Sequence, residues 1–243
     1  PVIEASDAKS LEKKLAKMET RPEKCVVRTS AKTNKIKERA FEECEHISVA
    51  IISDSITEIE PYAFWGCTGL KKVIIGNSVT EIGEGAFMRC ISLTSVIIGN
   101  GVTSIQWTTF YGCDSLSSVH ISDITAWCNI KIHDAVSRNY HLYLNGEEIK
   151  DLVIPPSVTE IGNSAFYGCS SLTSIIIPPS VTEIGESAFC DCSSITSISI
   201  PESVTKIGDW TFNGCSSLMS IKVESGNPVY DSRENCNAII HTE

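Results

Sequence analysis

"SVTEIGEGAF" at residues 78–87 returns as "SVTEIGNSAF" at 157–166 and as "SVTEIGESAF" at 180–189. Extended until the next copy begins, these become blocks of 23 residues: "SITEIEPYAFWGCTGLKKVIIGN" from 55, "SVTEIGEGAFMRCISLTSVIIGN" from 78 and "GVTSIQWTTFYGCDSLSSVHISD" from 101. After a break come "SVTEIGNSAFYGCSSLTSIIIPP" from 157, "SVTEIGESAFCDCSSITSISIPE" from 180 and "SVTKIGDWTFNGCSSLMSIKVES" from 203. A worn copy, "AKTNKIKERAFEECEHISVAIIS", covers 31–53. A fixed period of this length marks a solenoid, because one turn of chain cannot bury its own apolar face and must stack on a neighbour.

Each block keeps apolar residues at the same places. In the copy from 78 they are Val79, Ile82, Ala86, Phe87, Leu93, Val96 and Ile98, the expected inward positions of one coil. "LTSVIIGN" has the β-branched density of a short strand and ends at a turn dipeptide, so these strands are expected to stack into a parallel ladder about 4.8 Å apart. "TEIG" is a second short extended piece. Neither half of the block sustains a 3.6-residue period, which predicts a tight turn or a 3₁₀-type turn around "GEGAF" rather than a long helix.

The pattern Ile-Gly-x-x-Ala-Phe-x-x-Cys-x-x-Leu-x-x-Ile/Val-x-Ile resembles the leucine-rich repeats of the BspA type, also called the Treponema pallidum class. The resemblance runs over about residues 26–225, and the tail "VESGNPVYDSRENCNAII" is similar to an end motif of bacterial members. It implies a cell-surface or secreted, non-enzymatic protein that binds host proteins or other cells in adhesion. The fold expected is a leucine-rich repeat solenoid, β-rich, with a parallel ladder and an N-terminal capping helix.

Three segments follow. Residues 1–25 form an N-terminal helical cap, since "SDAKSLEKKLAKM" (6–18) puts Ala8, Leu11, Leu15 and Met18 on one helical face behind Ser6 or Asp7 as N-cap. Residues 26–225 form the solenoid, with "CVVRT" (25–29) as its first rung and an island at 124–156. Residues 226–243 are a C-terminal cap or the start of a truncated continuation. In the island, Asn145-Gly146 is suited to a type I′ turn, so "HLYLNGEEIK" reads as a β-hairpin. Leu152 restarts the phase. An irregular insertion with no evident stabilising role invites a functional explanation.

The formal net charge of -10, from 20 basic and 30 acidic residues, leaves no basic footprint for nucleic acid. No apolar run approaches the roughly 18 residues of a membrane helix, so no membrane insertion is expected in this segment. The chain starts at Pro1, compatible with an upstream signal segment having been removed. Seven of the 11 cysteines (Cys44, Cys67, Cys90, Cys113, Cys169, Cys192 and Cys215) occupy one repeat position. One ligand per coil is not a metal cluster. Stacked Cβ atoms about 4.8 Å apart are too distant for disulfides, which leaves buried thiols donating weakly to turn carbonyls.

The five histidines (His46, His120, His133, His141 and His241) are scattered, no nucleophile motif occurs, and no cofactor or metal is expected. His133, Asp134 and His141 in the island are the place where catalysis would have to be sought. Binding is sought instead in the column between the two inward strand positions, which alternation turns to the outer ladder face. It reads Ile51, Ile74, Ile97, His120, Val153, Ile176, Ser199, Lys222. An apolar stripe there fits either an interaction surface or plain β propensity. With Tyr143 of the hairpin, Ile51, Ile74, Ile97, His120, Val153 and Ile176 are the candidate ligand-binding residues. The "TEIG" column (Lys35, Glu58, Glu81, Ser104, Glu160, Glu183, Lys206) reads as a solvated acidic edge. Trp65, Met88 and Tyr111, with Tyr167 beyond the island, fit a half-buried coil corner better than a sugar platform. The expected partner is an extracellular protein or glycoprotein bound by a monomer; the rival reading is a structural spacer within a larger surface protein.

Overall fold

The computed structural model describes residues 1–18, 22–133, 136, 140–232 and, for the backbone alone, 240–241. The chain divides into two compact units, Pro1–Ser122 and Asp123–Glu243. Each is a β-solenoid of stacked coils.

In the first unit, strands Val2–Ala5, Cys25–Thr29, Ile47–Ile52, Lys72–Ile75, Ser95–Ile97 and Ser118–Ile121 pair in that order. All these pairs are parallel, with register partners such as Ile51↔Ile74, Ile74↔Ile97 and Ile97↔His120. The "TEIG" segments make a second ladder from Lys35–Ile36, Glu58–Ile59, Glu81–Ile82 and Ser104–Ile105. The seven apolar positions read from the copy at 78 are all buried. Phe41, Phe64, Phe87 and Phe110 stack through that core with centroids 4.9, 5.3 and 5.6 Å apart and rings within 13° of parallel.

The third side of each coil is a string of tight turns, and its hydrogen bonds explain why it is not a 3₁₀ helix. Ala86, Met88 and Cys90 donate their amides to carbonyls three residues back, at 3.2, 3.0 and 3.2 Å. The intervening amides of Gly85, Phe87 and Arg89 reach Trp107, Thr109 and Tyr111 of the following coil at 3.0, 3.0 and 2.8 Å. Left-handed backbone at Gly85 (φ 57°) and Arg89 (φ 59°) turns alternate amides along the stack. A continuous 3₁₀ helix bonds every amide internally and leaves none to join neighbouring coils.

A further rung precedes "CVVRT". Val2–Ala5 pairs with the Cys25–Thr29 strand, Val2 opposite Val26, so the helix Ala8–Leu15 stands within a coil rather than ahead of the ladder. Asp7 is its N-cap, with a capping box formed with Ser10, and Leu11 and Leu15 are buried. The Ala8 amide donates to Ala40 at 2.6 Å, so the helix covers the end of the turn stack that lacks a preceding coil. The helix spans 8 residues, shorter than 6–18, and Met18 is exposed.

The second unit opens with a short helix, Ile124–Cys128, which periodicity over so few residues did not reveal. Asp123 caps it, accepting from the amides of Thr125 and Ala126 at 2.8 and 3.1 Å. Trp127 is buried and its indole donates to Ala165 at 2.8 Å, while Gly162 donates to Cys128 at 2.7 Å. Cys128, Ile130, Ile132, Tyr140, Leu142 and Ile149 are buried as well. The island therefore has the stabilising role that the sequence did not disclose: it supplies core to the coil at 157–168.

The hairpin is formed as expected, His141–Leu144 against Glu147–Glu148, with Asn145 (φ 52°) and Gly146 (φ 92°) both left-handed as a type I′ turn demands. The phase restarts at Asp151–Val153, which pairs with Ser174–Ile176, Leu152 opposite Ile175. Ser197–Ile200 pairs with Ser220–Val223, and Glu160–Ile161, Glu183–Ile184 and Lys206–Ile207 form the companion ladder. Beyond it, the Asn227 side-chain amide donates to Pro201 and Val204 at 2.9 and 2.8 Å, and the Tyr230 hydroxyl accepts from the Ile207 amide at 3.0 Å. These contacts fasten the tail motif to the last coil.

Tyr140 carries an unusual group for this core. Its hydroxyl is fully buried and finds no hydrogen bond of normal geometry among the described residues. Burial first, then the adjacent Cys169, raises its pKa well above the phenol range. An unsatisfied buried hydroxyl costs about 1–3 kcal/mol. Tyr140→Phe is therefore expected to leave stability unchanged or raise it by about 1 kcal/mol in urea unfolding. A clear loss shows instead that the hydroxyl is bonded.

Candidate functional site

Strand alternation decides which side chains a partner meets. In the first unit Ile51, Ile74, Ile97 and His120 lie in register on the outer ladder face, each half-buried because its neighbours on adjacent rungs cover its flanks. The rungs before them place Glu4 opposite Arg28 and Arg28 opposite Ile51, which ends the apolar run with charge. Partial burial, then Lys72, holds the His120 imidazole below its ordinary pKa, which disfavours a positive charge on this face. In the second unit Val153 and Ile176 are register partners on the corresponding face and stand 59% and 60% exposed. Ser199 and Lys222 pair farther along, where the apolar character stops.

Tyr143 stands on the hairpin opposite Glu148, half-buried. His141 Nδ1 lies 2.5 Å from Glu148 Oε1, and that hydrogen bond lowers the carboxyl pKa. Asp134, expected beside His133 and His141 where catalysis would be sought, lies outside the described residues. His46 Nδ1 meets the Glu23 carbonyl at 3.2 Å on the first coils, and His120 stands on the ladder. Among the described residues no group of three or more His, Cys, Asp or Glu is arranged to hold a metal ion.

The repeat cysteines are thiols, and five of them donate to the phenylalanine carbonyl of the preceding coil. Cys67, Cys90 and Cys113 reach Phe41, Phe64 and Phe87 at 2.9, 3.2 and 3.1 Å; Cys192 and Cys215 reach Phe166 and Phe189 at 3.1 and 3.2 Å. They join coils rather than performing chemistry.

The "TEIG" column is less repulsive than a file of like charges. Lys35 pairs with Glu58, Lys206 with Glu183, and Gln106 donates to Glu81 at 2.8 Å. A lysine ends the column in each unit and offsets the carboxylates stacked beside it.

The turn side of the first unit holds a groove that the sequence did not disclose. It is lined among others by Trp65, Arg89, Ile91, Tyr111, Glu43 and Asp114 and has a cavity volume of about 790 Å³. Trp65 is half-buried, as expected of a coil corner, but Tyr111 is 61% exposed. The available signal was the combination of Trp65 and Tyr111 at one repeat position with Arg89 between two glycines at the next.

A family model described as "BspA type Leucine rich repeat region" matches in six copies over residues 25–131 and 138–237. A leucine-rich cell surface protein of Faecalibacterium prausnitzii is 29% identical, with 87% of this chain and 47% of that one covered and a TM-score of 0.46. The leucine-rich repeat protein of Treponema pallidum is 21% identical over 82% of this chain and 79% of that one, TM-score 0.46. A leucine-rich repeat protein of Eubacterium ventriosum is 22% identical over 82% and 59%, TM-score 0.48. The chain thus spans less than half the length of the Faecalibacterium protein. No curated protein matches it significantly.

Proposed function

The chain belongs to the BspA-type leucine-rich repeat family, and from that premise we propose that it is a non-enzymatic binding module of a secreted or cell-surface protein. It recognises an extracellular protein or glycoprotein through the outer ladder faces of its units, with the hairpin contributing Tyr143. The observation that carries this reading is the run of β-branched residues in register: Ile51, Ile74 and Ile97 in the first unit, Val153 and Ile176 in the second. None of these side chains fills the core; β propensity favours branched residues here, and an apolar run kept in register from rung to rung is in addition what a partner's dry contact patch uses. No helix among the described residues is long and apolar enough to cross a membrane.

The test immobilises a panel of extracellular-matrix and plasma glycoproteins and measures binding by surface plasmon resonance. Ile97→Lys and Val153→Lys, made separately, and replacement of "LNGEEIKD" by a Gly-Ser link are compared while circular dichroism confirms folding. Loss of one buried anchor commonly costs about 2 kcal/mol or more, so at least one lysine variant is expected to weaken binding more than tenfold. Unchanged affinity in all three folded variants removes the ladder face and hairpin from the reading. A folded chain that binds nothing in the panel favours the spacer.

A further inference from the structure

The groove on the turn side of the first unit differs from the ladder face in carrying aromatic rings and charged side chains. Three successive coils build its wall, with Trp65 and Tyr111 in one column and Gly66, Arg89 and Gly112 in the next. Backbone hydrogen bonds join the coils beneath, Gly66 to Met88 at 2.9 Å and Arg89 to Tyr111 at 2.8 Å, so the wall stands on the regular solenoid. Gly66 (φ 67°) and Gly112 (φ 74°) occupy the left-handed position without a side chain. The stems of Glu43 and Arg89 lie over these glycines, where a Cβ would come within 3.2 and 3.4 Å of their Cγ atoms, so both side chains are laid along the wall of the groove.

The repeat does not demand aromatic rings here. At the position of Trp65 and Tyr111 other copies carry Glu42, Cys190 and Asn213, with the phenylalanine spine intact beside them. In the second unit this column has one ring, Tyr167, whose hydroxyl donates to Asp191 at 3.0 Å. The first unit places two rings in the column, two coil steps apart, each step being 5.3–5.6 Å along the spine. A hexopyranose unit is about as long as one such step.

We infer that this groove is a binding site for a neutral oligosaccharide, with Trp65 and Tyr111 as stacking platforms and Arg89 bonding hydroxyl groups between them. Apolar C–H faces of sugars suit aromatic rings, while their hydroxyls need both donors and acceptors. Arg89 supplies donors; the carboxylates of Glu43, Glu45 and Asp114 supply acceptors. Three carboxylates against one guanidinium leave the lining net negative, which repels sulfated or uronic-acid-rich glycans. The volume of about 790 Å³ falls within the range of ligand sites, and the open form suits a chain lying along it. This site is separate from the ladder face and stands or falls independently of it.

The experiment titrates the intact chain with tetrasaccharides of β-linked glucose, of N-acetylglucosamine and of mannose, and, as controls, with a heparin-derived sulfated tetrasaccharide and an octalysine peptide. Saturation-transfer NMR and calorimetry report binding. At least one neutral probe is expected to bind. Tyr111→Ala, which removes an exposed ring and leaves the core untouched, weakens that binding at least tenfold, as does Arg89→Ala. Lys206→Gln, an exposed position of the second unit, leaves it unchanged. The inference is overturned if the folded protein binds no neutral probe, if Tyr111→Ala leaves affinity intact, or if only the sulfated sugar or the octalysine peptide binds, the last outcome marking a site for cationic segments of proteins instead.

Discussion

Phe87→Ala is expected to lower the stability of the chain by about 3–5 kcal/mol, the usual cost of deleting a buried aromatic ring. The ring is fully buried and stacked between Phe64 and Phe110 at 5.3 and 5.6 Å. In a solenoid each coil is held by its neighbours, so a cavity in one coil weakens two interfaces at once. The Phe87 carbonyl also receives the Cys113 thiol at 3.1 Å, and relaxation of the backbone into the cavity disturbs that bond. Urea unfolding followed by circular dichroism measures the change. A loss below about 1 kcal/mol contradicts the burial of the ring and, with it, the register of the repeat.

The second large effect belongs to the thiols. Burial pushes the pKa of Cys169 and of Cys128 up from 9.0 to about 12, with Asp123 a lesser cause at Cys128 and the Tyr140 hydroxyl a small opposing one at Cys169. Such a rise suppresses the thiolate about a thousandfold, and the thiolate is the species that is alkylated. Iodoacetamide at pH 8 is therefore expected to modify these two cysteines about a thousandfold more slowly in the folded protein than in guanidinium. The sign follows from the protons: between the unfolded and the folded pKa the native thiol stays protonated while the unfolded one ionises, so the full protection holds below 9.0 and shrinks about tenfold per pH unit until it is lost at about 12. Mass spectrometry of the alkylated peptides resolves each site, and comparable rates in the two states contradict the burial.

The two candidate surfaces differ in how far the sequence exposes them. The ladder column from Ile51 to His120 was legible because a strand alternates with a period of two and the coil repeats every 23 residues, so register follows from counting. The exposure within it was not. Ile74 is half-buried between rungs, while Val153 and Ile176 stand open, and exposure depends on neighbours that the period does not specify. The turn-side groove was harder still, because a concavity depends on how Glu43, Trp65, Arg89 and Tyr111 of successive coils stand to one another, which no single copy of the repeat specifies.

By itself the sequence determined the solenoid, the phenylalanine spine, the thiol column and the type I′ hairpin. Each depends on local chemistry or on a repeated position, and identical coils must stack identically. Only the tertiary structure decided the extra rung Val2–Ala5, the helix Ile124–Cys128 and the use of the island as core. Those segments occur once, so no repetition discloses their phase, and Trp127 or Leu142 becomes apolar filling only when a neighbouring coil is there to receive it. The string of alternating turns was likewise decided in three dimensions: every second amide of "GEGAF" and its successors serves the next coil, and hydrogen bonds between coils leave no periodic mark within one.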